Sequence, residues 1–449
     1  MKSLYFKGSV KSLLETFLDF SFLLCISPFR LKSYHIKGCN VEFPTETVKV
    51  QQWKLQKVLS GFVALMDIFG ATTRIRLSLE KNLDNPVEYF NFMWSIASTL
   101  MHVAFYFVLW TKQHHFVKAV EIFRKSFFKR HNNVTKNLPC VGVGYCICCL
   151  SLILGIIPSL KGSYLLPDSL INWNINLIFQ AHVAHSKFMF FLSNTSFPIG
   201  NFNANGTDQS LDDLEIISGI GHILVYTMRY LGAYFIDLFM IMSSVTLWLA
   251  TRSFIQTAMN LNANLPRCAV TTSPVSVPLD HHQGVSRHGR KINFGEVDGI
   301  NSEIVDKYAD LKCLSDSVNG AMSPIIFCYV FEAIFYYATN LNSIFTAKDW
   351  HARLTVTHFL LGCFITFGFS ADITRKMDGF RIWLVNGNTN ARKSMDQDML
   401  IALVHETQSK TIGISAFGIF TIDYPLIFNI VTTTVTFFLI VVQFVPKPC

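Results

Sequence analysis

The feature that most constrains this chain is a recurrence of long apolar runs with almost no charge. A bilayer core of about 30 Å is crossed by roughly 20 apolar residues in a helix. Tyr89–Trp110, Leu138–Leu160, Leu354–Ser370 and Tyr424–Val445 carry no Asp, Glu, Lys or Arg. Gly219–Ala250 carries Arg229 and Asp237, and Ala321–Phe345 carries Glu332 alone. Val58–Thr73 contains Asp67 and is short unless it extends back to Trp53. These are seven candidate spans. Ile171–Ser193 is a weaker eighth, because Lys187, His182, His185 and its asparagines interrupt it. Composition agrees: only 15% of the 449 residues are charged, where soluble chains run near 25%. Such a chain would leave a greasy surface in water, so soluble, disordered and fibrous classes are excluded. The expected fold is an all-α membrane protein of seven transmembrane helices.

Orientation follows from Lys and Arg. With the N-terminus inside, 29 of the 38 Lys/Arg fall on cytosolic pieces and 8 on outer pieces. The basic excess of +8 is therefore distributed as a membrane protein distributes it, and nucleic acid is not expected as a partner. The N-terminus is expected to be cytosolic and the C-terminus extracellular. The sequons at Asn194 and Asn205 then lie outside and are expected to carry glycan; Asn133 lies in a basic inner loop and is not. None of the 11 cysteines falls in an expected outer loop. Cys146-Ile147-Cys148-Cys149 sits mid-span with no second pair and reads as packing rather than zinc. Leu13–Phe29 contains Glu15 and Asp19 and has no small-residue cleavage site; it reads as an amphipathic helix on the cytosolic face rather than a signal peptide.

The chain divides accordingly. Residues 1–52 form a cytosolic N-terminal region, and 53–260 hold spans one to four with an extracellular loop at 161–218. Residues 261–300 are a Pro-, His- and Ser-containing flexible insert, whose histidines read as linker rather than metal ligands. Residues 301–373 hold a cytosolic helix with spans five and six; 374–422 are a cytosolic anchor region; 423–449 are span seven and a short outer tail. Apolar stripes run past span four (Trp248 to Met259) and into span five (Ile304 to Val318), and each needs a partner surface. Asp423 is placed as an N-cap, with Pro425 in the first turn of the last span.

On that last span Asn429, Thr433, Thr436, Ile440 and Gln443 are spaced 4, 3, 4 and 3 apart, one stripe of an α-helix. Polar groups facing lipid are costly, so the stripe faces protein or water. It is either a helix–helix seam or a pore wall repeated around a symmetry axis. The residue types alone slightly favour the seam.

The segment Thr436-Phe437-Phe438-Leu439-Ile440-Val441-Val442-Gln443-Phe444 resembles the signature that ends insect gustatory receptors: Thr, Tyr, five apolar residues, Gln, Phe. Phe437 replaces Tyr, keeping the ring and losing the phenol hydroxyl. Gly418-Ile419-Phe420-Thr421-Ile422-Asp423 also resembles the family, as do the length, the span count and the orientation. The resemblance implies a non-selective cation channel opened by a small organic tastant, in the plasma membrane of sensory neurons. It implies a homotetramer, alone or with other receptors of the family, whose last helices surround one pore. Thr436, Gln443 and Phe444 carry over as pore-helix positions, with Gln443 and Phe444 nearest the gate. In that setting Ile440 and Phe444 suit a hydrophobic constriction, and Gln443 offers amide oxygens to a passing cation. Membrane lipid, tastant and conducted cations are then the expected partners.

Ligand candidates come from polar or aromatic stripes in other spans. They are Trp94 and His102 in span two, Tyr226 and Tyr230 in span four, and Tyr329, Glu332, Tyr336 and Asn340 in span five, with Trp350 and His351 at the start of span six. Aromatic walls with a few polar groups suit a small organic ligand. The same spacing also suits plain packing, with Asp237 or Glu332 pairing with Arg229. Asp67 and Asp237 read as structural. A seven-helix G-protein-coupled receptor is the rival reading, but it needs the basic loops outside. An odorant-receptor-type channel is a nearer one. A transporter would show internal repeats, and an enzyme a clustered nucleophile, base or metal set; the sequence shows none of these. No catalytic residue, cofactor or metal is expected.

Overall fold

The computed structural model describes residues 13–35, 46–79, 83–128, 179–180, 182–183, 185–186, 213–264, 294–341, 350–386, 397–409 and 412–444. The expected third span at 138–160, residues 265–293 of the expected insert and all three sequons lie outside the described residues; the insert's flanks, 261–264 and 294–300, are helical rather than flexible linker. Among the described residues, six helices are long and apolar enough to cross a membrane. Each holds all or most of one of the other six expected spans; the expected fifth span, to Phe345, is helical to Asn340.

Helix α1 (Leu13–Leu23) is followed by a hairpin of β1 (Arg30–His35) and β2 (Glu46–Gln51), antiparallel in the register Arg30 opposite Gln51. Then come α2 (Lys54–Leu79), α3 (Pro86–Thr111) and α4 (Gln113–Ile122). Asn85 caps α3 by accepting the Val87 N–H at 3.0 Å, and Pro86 at the first position needs no donor partner. Lys112 leaves helical geometry (φ −101°, ψ 24°) and so separates α3 from α4. A π-helical turn, Phe123–Phe128, ends this segment. The long helices are α5 (Asp213–Asn264), α6 (Phe294–Asn340) and α7 (Trp350–Asn386), of 52, 47 and 37 residues. At 1.5 Å per residue they run roughly 78, 70 and 55 Å, well beyond a bilayer core. Helix α8 (Gln397–Ser409), a short hairpin of β3 (Ser415–Ala416) and β4 (Phe420–Thr421), and α9 (Tyr424–Phe444) complete the chain.

The overhanging ends of α5, α6 and α7 solve the partner problem posed by their apolar stripes by packing on one another. Phe254 of α5 lies 6.0 Å from Tyr308 of α6 and 4.9 Å, edge-on, from Phe380 of α7. Trp248 donates its indole N–H to Asp372 at 2.7 Å, and Lys307 reaches Thr257 at 3.0 Å. Lys312 pairs with Glu406, tying α8 to α6.

Helix α1 departs from the surface role expected of it. Leu14 through Leu18 are all buried, so it has no continuous face left for lipid. Phe17 packs on Phe235 and Phe239 of α5 at 6.0 and 5.6 Å, and Phe20 stacks on Phe235. The charge that made it look amphipathic is used internally: Arg124, in the π-turn, holds both oxygens of Glu15 at 2.6 and 3.0 Å. A two-point guanidinium–carboxylate pair satisfies both buried ions, which a lipid surface would not.

The hairpin before α9 is stitched to the bundle. Asn319 of α6 donates to the Gly413 carbonyl at 2.8 Å and accepts the Ser415 N–H at 2.9 Å. Ser323 donates to the Ser415 carbonyl, and Thr374 of α7 to the Ile422 carbonyl at 3.1 Å. Phe417 and Gly418 turn the hairpin at positive φ, 52° and 74°. Asp423 then accepts the Leu426 N–H at 2.8 Å, the cap expected from Asp423-Tyr424-Pro425.

Candidate functional site

Two sets of candidate residues were expected, a ligand pocket and a pore face, and the fold separates them. For the pocket, α3, α5, α6 and α7 converge at the end of the bundle remote from α4. Trp94 of α3 lies 5.2 Å from the Tyr336 ring of α6, and its indole N–H donates to Glu332 at 3.4 Å. The Arg74 guanidinium lies 4.4 Å above the Trp94 ring, a cation–π contact. Tyr336 meets the edge of Phe359 of α7 at 5.8 Å. Phe359 stacks on Tyr234 of α5 at 5.1 Å, and His358 lies 4.8 Å from Tyr234. The result is an aromatic wall with one carboxylate and one guanidinium on it. Such a wall can hold a small organic molecule by ring contact and orient it by a hydrogen bond or a charge.

Of the expected pocket residues, Trp94, Glu332 and Tyr336 are brought into this group. The others go elsewhere. His102 is fully buried against Asp67 of α2, with Nδ1 2.8 Å from Oδ1, and Tyr106 lies beside the same carboxylate. A Cβ on Gly232 of α5 would sit 1.9 Å from the Asp67 carboxylate, so α5 passes this pair at a point only glycine allows. Tyr329 bonds to Asp237 and packs edge-on against Phe367 at 5.9 Å. Arg229 therefore pairs with neither Asp237 nor Glu332; it lies against Gly70 of α2, within Coulombic reach of Asp67. Tyr226 and Tyr230 form a separate small group with Met66 and Val225, and Tyr226 lies 4.5 Å from His222. His222 meets His182 at 2.8 Å between their Nδ1 atoms. Asn340 spends its amide N–H groups on the end of α6, at the Tyr336 carbonyl and Thr339 hydroxyl. Trp350 and His351 open α7, and their side chains lie outside those described.

Arg74, His358 and Phe359 were not expected. Arg74 follows the apolar window by one residue, so only the continuation of α2 to Leu79 brings it in. His358 was visible as the polar interruption of an otherwise apolar span. Phe359 carries no sequence signal beyond being one of 41 phenylalanines.

For the pore face, α9 is attached along one side only. Its span window is 17% buried, against 72% for α5. Ile430, Thr434 and Val441 are its buried positions, and Phe437 packs between Phe90 of α3 and Phe335 of α6 at 5.0 and 6.3 Å. The ring kept where the resembling motif has Tyr is thus a packing ring. The rest of the helix divides into two strips. Phe428, Val431, Val435, Leu439 and Val442 form an exposed apolar strip. Asn429, Thr432, Thr436 and Gln443 form an exposed polar one, with Thr433 and Ile440 half-buried along its edge; the side chain of Phe444 lies outside those described. Thr432, absent from the expected stripe, belongs to it. Among the described residues the polar strip meets no other helix. Among the described residues no group of three or more His, Cys, Asp or Glu has the geometry to hold a metal ion.

The fold and its spans define a multi-pass helical membrane protein. No family model and no curated protein matches the sequence. The likeness is to solved structures. The insect olfactory receptor OR5 from Machilis hrabei in complex with eugenol superposes with a TM-score of 0.54 over 96% of this chain and 97% of that one, at 10% identity. A second structure of the same receptor gives 0.53 over 95% and 96%, at 11% identity. The chain therefore has the insect olfactory receptor fold over nearly its whole length, and that likeness does not favour the G-protein-coupled reading.

Proposed function

We propose that this chain is a chemoreceptor subunit of gustatory type, a non-selective cation channel opened by a small organic tastant. The observation that carries the reading is α9: the least covered of the described spans presents one polar and one apolar strip outward. Polar groups in a bilayer need water or partners. Four copies around an axis supply both, with Asn429, Thr432, Thr433, Thr436 and Gln443 toward the pore and the apolar strip toward neighbouring subunits or lipid. Ile440 and Phe444 then form the constriction, with Gln443 beside it. The fold likeness to an olfactory receptor solved with eugenol supports a small organic ligand. The Trp94, Glu332, Tyr336 and Phe359 wall is where it binds. The gustatory rather than olfactory assignment rests on the last-helix signature. The reading includes seven spans, a cytosolic N-terminus, residence in the plasma membrane of sensory neurons and the chain divisions set out above.

The test is a panel of sugars, plant alkaloids and phenols applied to cells expressing the full chain, read as current. Gln443→Ala and Phe444→Ala are expected to change basal leak, ion preference or blocker sensitivity at normal surface expression. Unchanged currents from both variants would return the stripe to the seam reading.

A further inference from the structure

A cavity of about 590 Å³ lies at the junction of α3, α4 and the β1–β2 hairpin, at the opposite end of the bundle from the aromatic wall. Its polar lining includes Lys49 on β2, Gln113, His114 and Lys118 on α4, and Trp110 at the end of α3. Lys49, His114 and Lys118 are exposed, so their charges face outward rather than into the core. Lys32 stands directly opposite Lys49 in the hairpin register and adds to the basic surface. Glu121, the acid among the lining residues, accepts the Val48 N–H at 3.2 Å and keeps its charge in the cavity, where Lys49 and Lys118 outnumber it. The electropositive character is felt by the neighbouring imidazole. Burial holds His115 below its ordinary pKa, and His114, Lys112 and Lys118 push it further the same way.

The cavity is continuous with a membrane-facing surface. Val103, Phe107 and Trp110 are spaced 4 and 3 apart, all exposed, on one face of α3. Trp110 lies against Gly61 of α2, where an added Cβ would be 3.7 Å from its indole ring. An indole at the end of a charge-free span marks the water–lipid boundary. So basic groups stand just beyond the boundary and an apolar strip runs away from it, which matches one amphipathic molecule rather than a soluble anion.

We propose that this cavity binds the phosphorylated headgroup of an anionic lipid of the cytosolic leaflet, with Lys49 and Lys118 contacting phosphate and the acyl chains lying along Val103 and Phe107. The leaflet assignment rests on the cytosolic N-terminus proposed above; the binding does not rest on channel activity. A lipid held there touches the hairpin and α4 together, and α4 packs on α6, where the His115 ring fills the space a side chain at Gly320 would take.

The test uses the purified full chain in detergent, titrated with phosphatidylinositol bisphosphate, phosphatidylcholine or soluble inositol trisphosphate, with bound species counted by native mass spectrometry. The bisphosphate lipid is expected to bind at least 10-fold more tightly than phosphatidylcholine. Lys49→Gln with Lys118→Gln should weaken it about 30-fold, from the usual contribution of a basic residue at an anionic surface. Lys125→Gln, an exposed cation outside the cavity, should leave it unchanged. Equal binding of the two lipids, or a double variant that binds like wild type, would overturn the site. Competition by inositol trisphosphate as strong as by the lipid would overturn the lipid assignment in favour of a soluble phosphate. Should the double variant not fold, the salt dependence on the wild-type chain decides: an affinity unmoved by raising ionic strength excludes lysine–phosphate contact. No current is measured, so a silent channel leaves the site standing, and a lost site leaves the channel reading standing.

Discussion

Asn319→Ala is the most informative single change away from α9, because Asn319 is the two-point clasp between α6 and the hairpin that launches α9. Its amide donates to the Gly413 carbonyl at 2.8 Å and accepts the Ser415 N–H at 2.9 Å. Alanine removes both bonds. Gly413 keeps a weaker partner, the Ser315 hydroxyl at 3.3 Å; the Ser415 N–H is left to find water in a half-covered site. Two hydrogen bonds at about 1 kcal/mol each, plus about 1 kcal/mol for the stranded donor, place the cost at roughly 2–3 kcal/mol. That is a sizeable part of a typical total of about 5–15 kcal/mol. The clasp lies a few residues before the Asp423 cap, so loosening it also frees the start of α9. If the clasp holds in only one gating state, about 2 kcal/mol corresponds to a roughly 30-fold shift in the open–closed ratio. Thermal unfolding in detergent, followed by size-exclusion fluorescence, should show a midpoint several degrees lower, and basal current should change. Asn319→Asp should do no better, since a carboxylate turned toward the Gly413 carbonyl replaces donation with repulsion. A wild-type midpoint together with wild-type basal current in Asn319→Ala would refute the clasp.

Gly232→Ala should abolish folding or surface expression, because its methyl would collide with the Asp67 carboxylate and break the contact with His102; normal expression would contradict that packing. Arg124→Ala should destabilise by about 3–5 kcal/mol, as expected when a buried ion loses its partner, and Glu15→Gln added to it should recover part of the loss in a denaturation series. Glu332→Ala and Trp94→Ala should move the agonist concentration for half-activation about 10-fold or more with little change in ion preference, whereas Gln443→Ala should do the reverse. Glycan should be lost with Asn194→Gln or Asn205→Gln and never with Asn133→Gln, and an N-terminal tag should be reached by antibody only in permeabilised cells; either opposite result would invert the sidedness.

The membrane character of this chain was legible because lipid solubility is set by local composition. A charge-free run of about 20 residues has few other stable environments. Six of the seven expected spans appear as helices, and the Asp423 cap sits where Asp423-Tyr424-Pro425 placed it; the Asn85 cap was not expected. The stripe on α9 was legible for the same reason, since one helix carries it whole. Its edge needed the structure: Thr433 is half-covered and Thr432 is exposed, and only the packing of Phe437 against Phe90 and Phe335 sets that rotation.

Sites assembled from several helices were legible only in part. Trp94, Glu332 and Tyr336 come together, but His102, on the same stripe as Trp94, turns out to serve Asp67 across a helix contact that glycine at 232 permits. Arg74 enters because α2 runs a turn and a half beyond its apolar window. Helix α1 looked like a surface amphipath because Glu15 and Asp19 interrupt its apolar residues; the partner that lets Glu15 be buried, Arg124, is more than a hundred residues away. Periodicity and hydropathy are properties of neighbours in sequence and determine which segments become helices and which face is polar. Whether a polar residue meets water, ligand or an opposite charge depends on what another helix brings to it, and that is decided only when the helices pack.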